Sequence, residues 1–484
     1  MQNTKFFALL QTLSKAEFKT FRKFVASPYY CTNPKAVQLL DYLQKSFPNL
    51  STPAKRLTKE RVYSHLYPNE SYKEIKLQQL ASQLVKLVEQ FWVVESKGRG
   101  RGDYDLQLAK AYRERGFGHY WEKQLQVFGG QLKEEVMEFG RRAYFDLQAQ
   151  IEVHEQIEEA ELRNREPNLQ EVSDALDVFY WGNKLRYYCK ALNYQRFQSQ
   201  PYEWEMMEEV LEKVKGKDFA GFPAIQIYYQ AAMSLRVPKE EAYFRELYRL
   251  LQEYKQKIHR SELQDMLVLA RNYCIFQLNQ GNRSYLRTIF EVYGFEIGEG
   301  LVLKEGNIPN ATYKNIVTTA LLLKELKWLE VFLYDFEEAV SDEAFYYNLA
   351  RLRFQQEEYE ESIHLLQLVE YKEVLLLLSS KALMLQSYYE RCCEYPDSFE
   401  VGEQLEQYLH SFTTFLNRKK QQLTNHYIYY VNLVELVKGL WECENVEELE
   451  TLDSKVDGMR QVAEKVWLMD KIQIGRKRIG DGRR

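Results

Sequence analysis

Glycine and proline are scarce, 22 and 11 of 484 residues. Both punctuate strands and tight turns, so a sheet-rich fold with many chain reversals is excluded. Between Asn310 and Tyr395 there is no proline at all, which suits packed helices. Cysteine is sparse too: Cys31, Cys189, Cys274, Cys392, Cys393 and Cys443 include no CxxC. The adjacent Cys392 and Cys393 could bridge only with strain, so free and mostly buried thiols in a reducing compartment are expected. No run approaches the roughly 20 apolar residues that span a bilayer. The opening "MQNTKFFALLQTLSKAEF" has an apolar run but no small-residue cleavage site. A soluble, cytoplasmic protein without membrane contact is the expectation.

Recognisable chemistry is missing as well. "GKDFAGF" and "GLVLKEGN" lack the order of a phosphate-binding loop. There is no GxSxG elbow, no HExxH and no paired-cysteine zinc spacing. Glu361-Ser-Ile-His364 puts two ligand types on one helical face, but a carboxylate-bridged metal site needs a second such motif. Arg101-Gly102-Asp103 spells an integrin-type tripeptide without a secretion signal. These observations predict no enzyme, with catalytic, cofactor-binding and metal sites all none.

What is present is helical patterning. Hydrophobic residues make up 45% and aromatics 14%, enough for a substantial core, and the fold class predicted is all-α. Residues 1–97 read as a basic bundle of short helices. Capping boxes at Ser14-x-x-Glu17 and Ser71-x-x-Glu74 mark helix starts. Leu77, Leu80, Leu84, Leu87 and Phe91 fall on one helical face. Residues 98–170 open with "GRGRG", a predicted flexible joint, followed by long helices broken at "RGFGH" and "FGGQ". Gln131 to about Arg165 is predicted as one long helix. Residues 171–470 read as helical pairs, one with Pro238 opening its second helix and one starting at a capping box Ser261-x-x-Gln264 and turning at Gly281. The aromatics Phe179, Tyr180, Trp181, Tyr187 and Tyr188 are expected to form a packing face between such pairs. Residues 471–484 form a basic tail expected to be disordered.

Two of the pairs superpose with a shift of 31, Leu321 on Leu352, Leu323 on Phe354, Trp328 on Tyr359 and Phe332 on Ile363. Such self-similarity marks stacked hairpins that cannot bury their apolar faces alone. The stretch Phe345–Val369 resembles a tetratricopeptide repeat. Leu349-Ala350 matches the family's Leu-Gly/Ala pair, Tyr359 its turn aromatic, Ser362 its small second-helix residue, and Leu366 and Val369 its later apolar positions. Arg353 stands where the family has Tyr, and the turn has no Gly. The resemblance implies a right-handed α-solenoid that binds proteins or peptides. The whole chain is also similar to uncharacterised bacterial helical proteins with an N-terminal "F…SPY…N" element, a likeness that implies no activity.

Charge is unevenly distributed. Residues 1–101 hold 17 Lys and Arg against 7 Asp and Glu, net +10, whereas the remainder holds 48 against 63, net −15. Lys15, Lys19, Arg22, Lys23, Lys55, Arg56, Lys59, Arg61, Lys73 and Lys76 are therefore candidate contacts to an anionic partner. Several sit on two short helices joined by "YPNESY", an order like helix-turn-helix, so nucleic acid is a candidate partner of residues 1–101. The expected function is a scaffold that binds a protein or peptide through the solenoid. The alternative is a DNA-binding regulator with the basic bundle on DNA and the solenoid as its sensing or oligomerising part.

Overall fold

Amphipathic segments without internal proline satisfy their own backbone groups and need only bury one face, which makes helices the economical solution here. A computed structural model describes residues 4–48, 57–99, 101–159, 166–195, 201–217, 219, 221–443 and 445–480. Among them are 23 α-helices and no strand; the protein is all-α. Residues 1–183 and 184–484 form two compact units.

The first unit begins with a bundle of α1 (Lys5–Gln11), α2 (Lys15–Ala26), α3 (Pro34–Gln44), α4 (Lys59–Leu66) and α5 (Glu74–Arg99). Helices α1 to α4 all pack on α5. The predicted α5 face is realised, with Leu77, Leu80, Leu84, Leu87 and Phe91 all buried. Against it lie Phe6, Phe7, Phe18, Phe21 and Leu40. The Ser14 capping box is present: Ser14 Oγ accepts from the Glu17 N–H, and Glu17 accepts from the Ser14 N–H at 2.9 Å. The Ser71 box is not. Helix α5 starts at Glu74 itself, two residues late, and the Glu74 carboxylate is engaged by Lys59 instead.

Next come α6 (Arg101–Glu114), α7 (Gly118–Glu134) and α8 (Phe139–Glu159). Two expectations fail here. The joint at "GRGRG" is helical up to Arg99 and again from Arg101, with Gly100 outside the described residues. Gly102 is buried on α6, where a Cβ would come 3.1 Å from Phe145, so this glycine serves close packing. Nor does one helix run from Gln131 to Arg165: the chain leaves α7 after Glu134 and re-enters helix at Phe139. That reversal brings Phe145 edge-on to Phe128 at 5.7 Å and buries both with Leu106 and Leu132, burial that a straight helix would forgo. The break at Gly116 (φ +75°) is real, but Gly129 and Gly130 lie inside α7.

Helix α9 (Leu169–Gln195) contributes residues to both units. The second unit continues with α10 (Met207–Val214), α11 (Pro223–Arg236), α12 (Glu241–Tyr254), α13 (Arg260–Asn279), α14 (Tyr285–Gly298), α15 (Asn310–Leu322), α16 (Leu326–Asp335), α17 (Asp342–Gln355) and α18 (Tyr359–Gln367). It ends with α19 (Val374–Glu394), α20 (Phe399–Leu423), α21 (His426–Glu442), α22 (Val446–Gly458) and α23 (Lys465–Gly480). From α10 onward the principal packing partners of each helix lie one or two places away in the chain. Pro238 lies in the turn before α12 rather than opening it, and its carbonyl accepts from Tyr273 and Gln277. Helix α13 starts one residue before Ser261, so no Ser261 box forms; Gln264 donates to the Leu301 carbonyl.

Three hairpin turns, α13–α14, α15–α16 and α17–α18, share one backbone device. Gly281 (φ +87°), Lys324 (φ +59°) and Glu357 (φ +66°) each adopt the left-handed conformation. The N–H of the next residue closes back five positions: Asn282 to Gln277, Glu325 to Ala320 and Glu358 to Arg353. This is the Schellman closure of a helix C-terminus. It sets the register between the pairs α15–α16 and α17–α18 at 33, not 31. At 33, buried positions coincide: Ile316 with Leu349, Val317 with Ala350, Leu329 with Ser362 and Leu333 with Leu366. Trp328 and Tyr359 are then not equivalent. Trp328 stacks on Phe332 and meets Phe290 edge-on, whereas Tyr359 packs on Phe354.

The expected disordered tail is corrected over residues 471–480, while residues 481–484 lie outside the described residues. Residues 471–480 continue α23, with Ile472 buried and Lys471 donating to Glu390 at 2.7 Å beside Trp467 Nε1 at 2.8 Å. Burial of Ile472 supplies the energy that the basic composition concealed.

Candidate interaction surfaces

Of the ten cations expected to face an anionic partner, Lys55 and Arg56 lie outside the described residues. Three others are engaged within the first unit: Arg22 by Asp41, Lys59 by Glu74 and Lys76 by Glu70. The hydrogen bonds raise the affinity of all three cations for their protons, and the one from Lys76 holds the Glu70 carboxyl below its ordinary range. Lys73 adds its field to the same Glu70. The surface of α4 and α5 is therefore largely self-neutralised. Lys15, Lys19, Lys23 and Arg61 are different: their side chains are exposed and make no ion pair among the described residues.

Lys15, Lys19 and Lys23 recur every fourth residue on α2, opposite the buried Phe18, Phe21 and Val25. Helical geometry makes this a stripe with steps of about 6 Å. At its end the chain turns through Ser27–Asn33. Tyr30 and Cys31 donate their N–H groups to the Ser27 carbonyl, and Asn33 caps α3 while donating to Gln83 of α5 at 2.8 Å. Tyr30 stacks on Phe24 at 3.9 Å, and Tyr29, 87% exposed, stands edge-on to Tyr30 at 5.0 Å. No property of residue type marked this pair in advance; the signal was "SPYY" placed directly after the lysine stripe.

In the second unit, side-chain amides and cations link α9 to α13 and α15 to α17. Asn272 donates to Asn193 at 2.6 Å, Lys190 pairs with Asp265 at 3.1 Å, and Arg351 donates to Thr318 at 3.2 Å and to Asn348 at 3.1 Å. Thr318 and Arg351 are 33 apart, the register of the α15–α16 and α17–α18 hairpins. Deeper in, Glu296 is buried beside Arg271, whose Nε lies 3.2 Å away without being aligned for a hydrogen bond. Burial pushes the Glu296 carboxyl up to about 7, with Arg271 offsetting part of the effect.

The remaining sequence features do not assemble into sites. Asp103 of Arg101-Gly102-Asp103 lies in the first turn of α6 and pairs with Arg141. Glu361 and His364 are exposed on α18, and among the described residues no three His, Cys, Asp or Glu side chains are grouped to hold a metal. Burial pushes the Cys392 thiol up to about 12, which makes it unreactive. The aromatics of α9 do not share one packing face: Tyr188 is buried against Trp204, whereas Tyr180 and Tyr187 are exposed. A cleft of about 610 Å³ beside α1 and α5 is lined by Phe6, Leu77, Ala81 and Val85. Of its lining cations, Lys5 and Lys59 are paired with Glu89 and Glu74, and Lys86 is exposed. No described helix is long and apolar enough to cross a membrane.

No family model, curated protein or solved structure matches the chain.

Proposed function

We propose that the chain is a non-enzymatic scaffold whose second unit is a tetratricopeptide-like array of helical hairpins that binds a protein or peptide. The observation that carries this reading is the nearest-neighbour packing from α10 onward. Stacked repeats of this kind extend one surface over many helices, and extended surfaces recognise chains rather than small molecules. The recurring Schellman turns and the register of 33 between α15–α16 and α17–α18 support the same reading. So does the Ser362 Oγ bond to the Ala350 carbonyl at 3.0 Å, a tight contact between first and second helix that needs the small residue matched to the family.

The face carrying Asn272 of α13 and Arg351 of α17 is the proposed recognition face. Half-buried Asn272 and Arg351 present donors that can pair with the backbone carbonyls or carboxylates of an extended peptide. Affinity capture from the native host, with the full chain and an Asn272→Ala/Arg351→Glu variant, tests the proposal. The intact chain should retain a defined protein that the variant loses, with circular dichroism and the unfolding midpoint preserved. Identical captures by both would sink the assignment of this face.

A further inference from the structure

We infer that the lysine stripe of α2 and the tyrosine pair at its end form a binding site for single-stranded nucleic acid. This does not depend on what the second unit binds. Lys15, Lys19 and Lys23 are exposed, share one helical face and make no ion pair among the described residues. The acids nearest in sequence or contact are occupied: Glu17 caps the helix through Ser14, and Asp41 holds Arg22. The stripe is thus a row of uncompensated charge, and its step of about 6 Å is close to the spacing of successive phosphates on an extended strand.

The stripe leads into the aromatic pair. Lys23 precedes Phe24, Phe24 carries the stacked Tyr30, and Tyr30 carries Tyr29. An aromatic ring 87% exposed would be an ordinary accident on a loose loop. This loop is fastened: its N–H groups close onto Ser27, Cys31 is buried, and Asn33 bonds to Gln83. Tyr29 is held outward by structure. An exposed ring in the turn that follows a cationic helix is suited to stack an unpaired base while lysines follow the backbone. A duplex hides its base faces and would gain nothing from Tyr29. Acidic peptides and anionic lipid would use the lysines but do not require the ring.

Fluorescence anisotropy of the full chain with labelled oligo(dT) tests this. Three phosphate contacts predict that affinity falls about 20-fold between about 50 and 200 mM salt. Tyr29→Ala should weaken binding roughly 5- to 150-fold, the range for one stacked base, and Tyr29→Phe should restore it. Lys15→Glu/Lys19→Glu/Lys23→Glu should abolish binding, and the milder Lys→Gln triple should weaken it with an unchanged circular dichroism spectrum. The inference is overturned if a duplex binds as tightly as the single strand or if Tyr29→Ala binds normally. It is equally overturned if polyglutamate or phosphatidylcholine–phosphatidylserine vesicles displace the strand as well as unlabelled oligo(dT) does.

Discussion

Arg113, in the last turn of α6, is the most exacting test of the structure. Its side chain is 4% exposed and meets three carboxylates of α8. Nε donates to buried Glu152 at 2.6 Å, and the other two nitrogens bond to Glu155 and Glu159. Glu152, Glu155 and Glu159 lie on one face of α8, at spacings of three and four. Burial works against the guanidinium's charge, but its hydrogen bonds to Glu152 and Glu159 more than offset this and raise its proton affinity. The three bonds should not be equal. Arg113→Met strands the Glu152 carboxylate in the interior, which should destabilise the first unit by about 3–5 kcal/mol. Glu155 and Glu159 are 42% and 54% exposed, so Glu155→Gln and Glu159→Gln should each cost below about 1 kcal/mol. Arg113→Met/Glu152→Leu removes both buried charges and should recover more than about 1 kcal/mol relative to additivity. Urea unfolding of the full chain, with hydrogen exchange followed in peptides of α6 and α8, reads these differences. Equal losses for Arg113→Met and Glu159→Gln, or a double variant whose loss is the sum of those of Arg113→Met and Glu152→Leu alone, would refute the reasoning.

Further outcomes follow from backbone and burial. A Cβ on Gly182 would lie 2.0 Å from Phe139 Cζ, so Gly182→Ala should destabilise by about 1–3 kcal/mol in thermal unfolding. Gly129→Ala and Gly130→Ala, with open space around them in α7, should instead stabilise by about 0.5–1 kcal/mol each. Lys324→Gly and Glu357→Gly relieve left-handed backbone and should each raise stability by about 0.5–1 kcal/mol, measured by the shift in urea midpoint. Glu296 keeps its proton in the folded chain between its ordinary value of 4.5 and about 7, while the unfolded chain releases it. Its contribution to stability therefore declines as pH rises through that window, by up to about 3 kcal/mol, and Glu296→Gln should remove this slope from unfolding curves taken across it.

The sequence by itself determined the features that depend on neighbours three or four residues away. The all-α class, the buried face of α5, the Ser14 capping box, the reversals at Gly116 and Gly281, and the lysine row of α2 are all legible in local periodicity. Such features need only one helix's geometry. Tertiary structure alone decided the rest, because it depends on partners far along the chain. The reversal between α7 and α8 carries no glycine or proline, and is set by Phe128 meeting Phe145. The hairpin register turned on Lys324 and Glu357, residues whose type gives no hint of left-handed backbone. The C-terminal helix reads as a loose basic tail until Lys471 and Trp467 find Glu390, some 80 residues away. Which lysines of the first unit remain free could not be read from composition. Lys59 and Lys76 are neutralised by Glu74 and Glu70 across a turn, while Lys15, Lys19 and Lys23 face outward because the apolar side of α2 must face in.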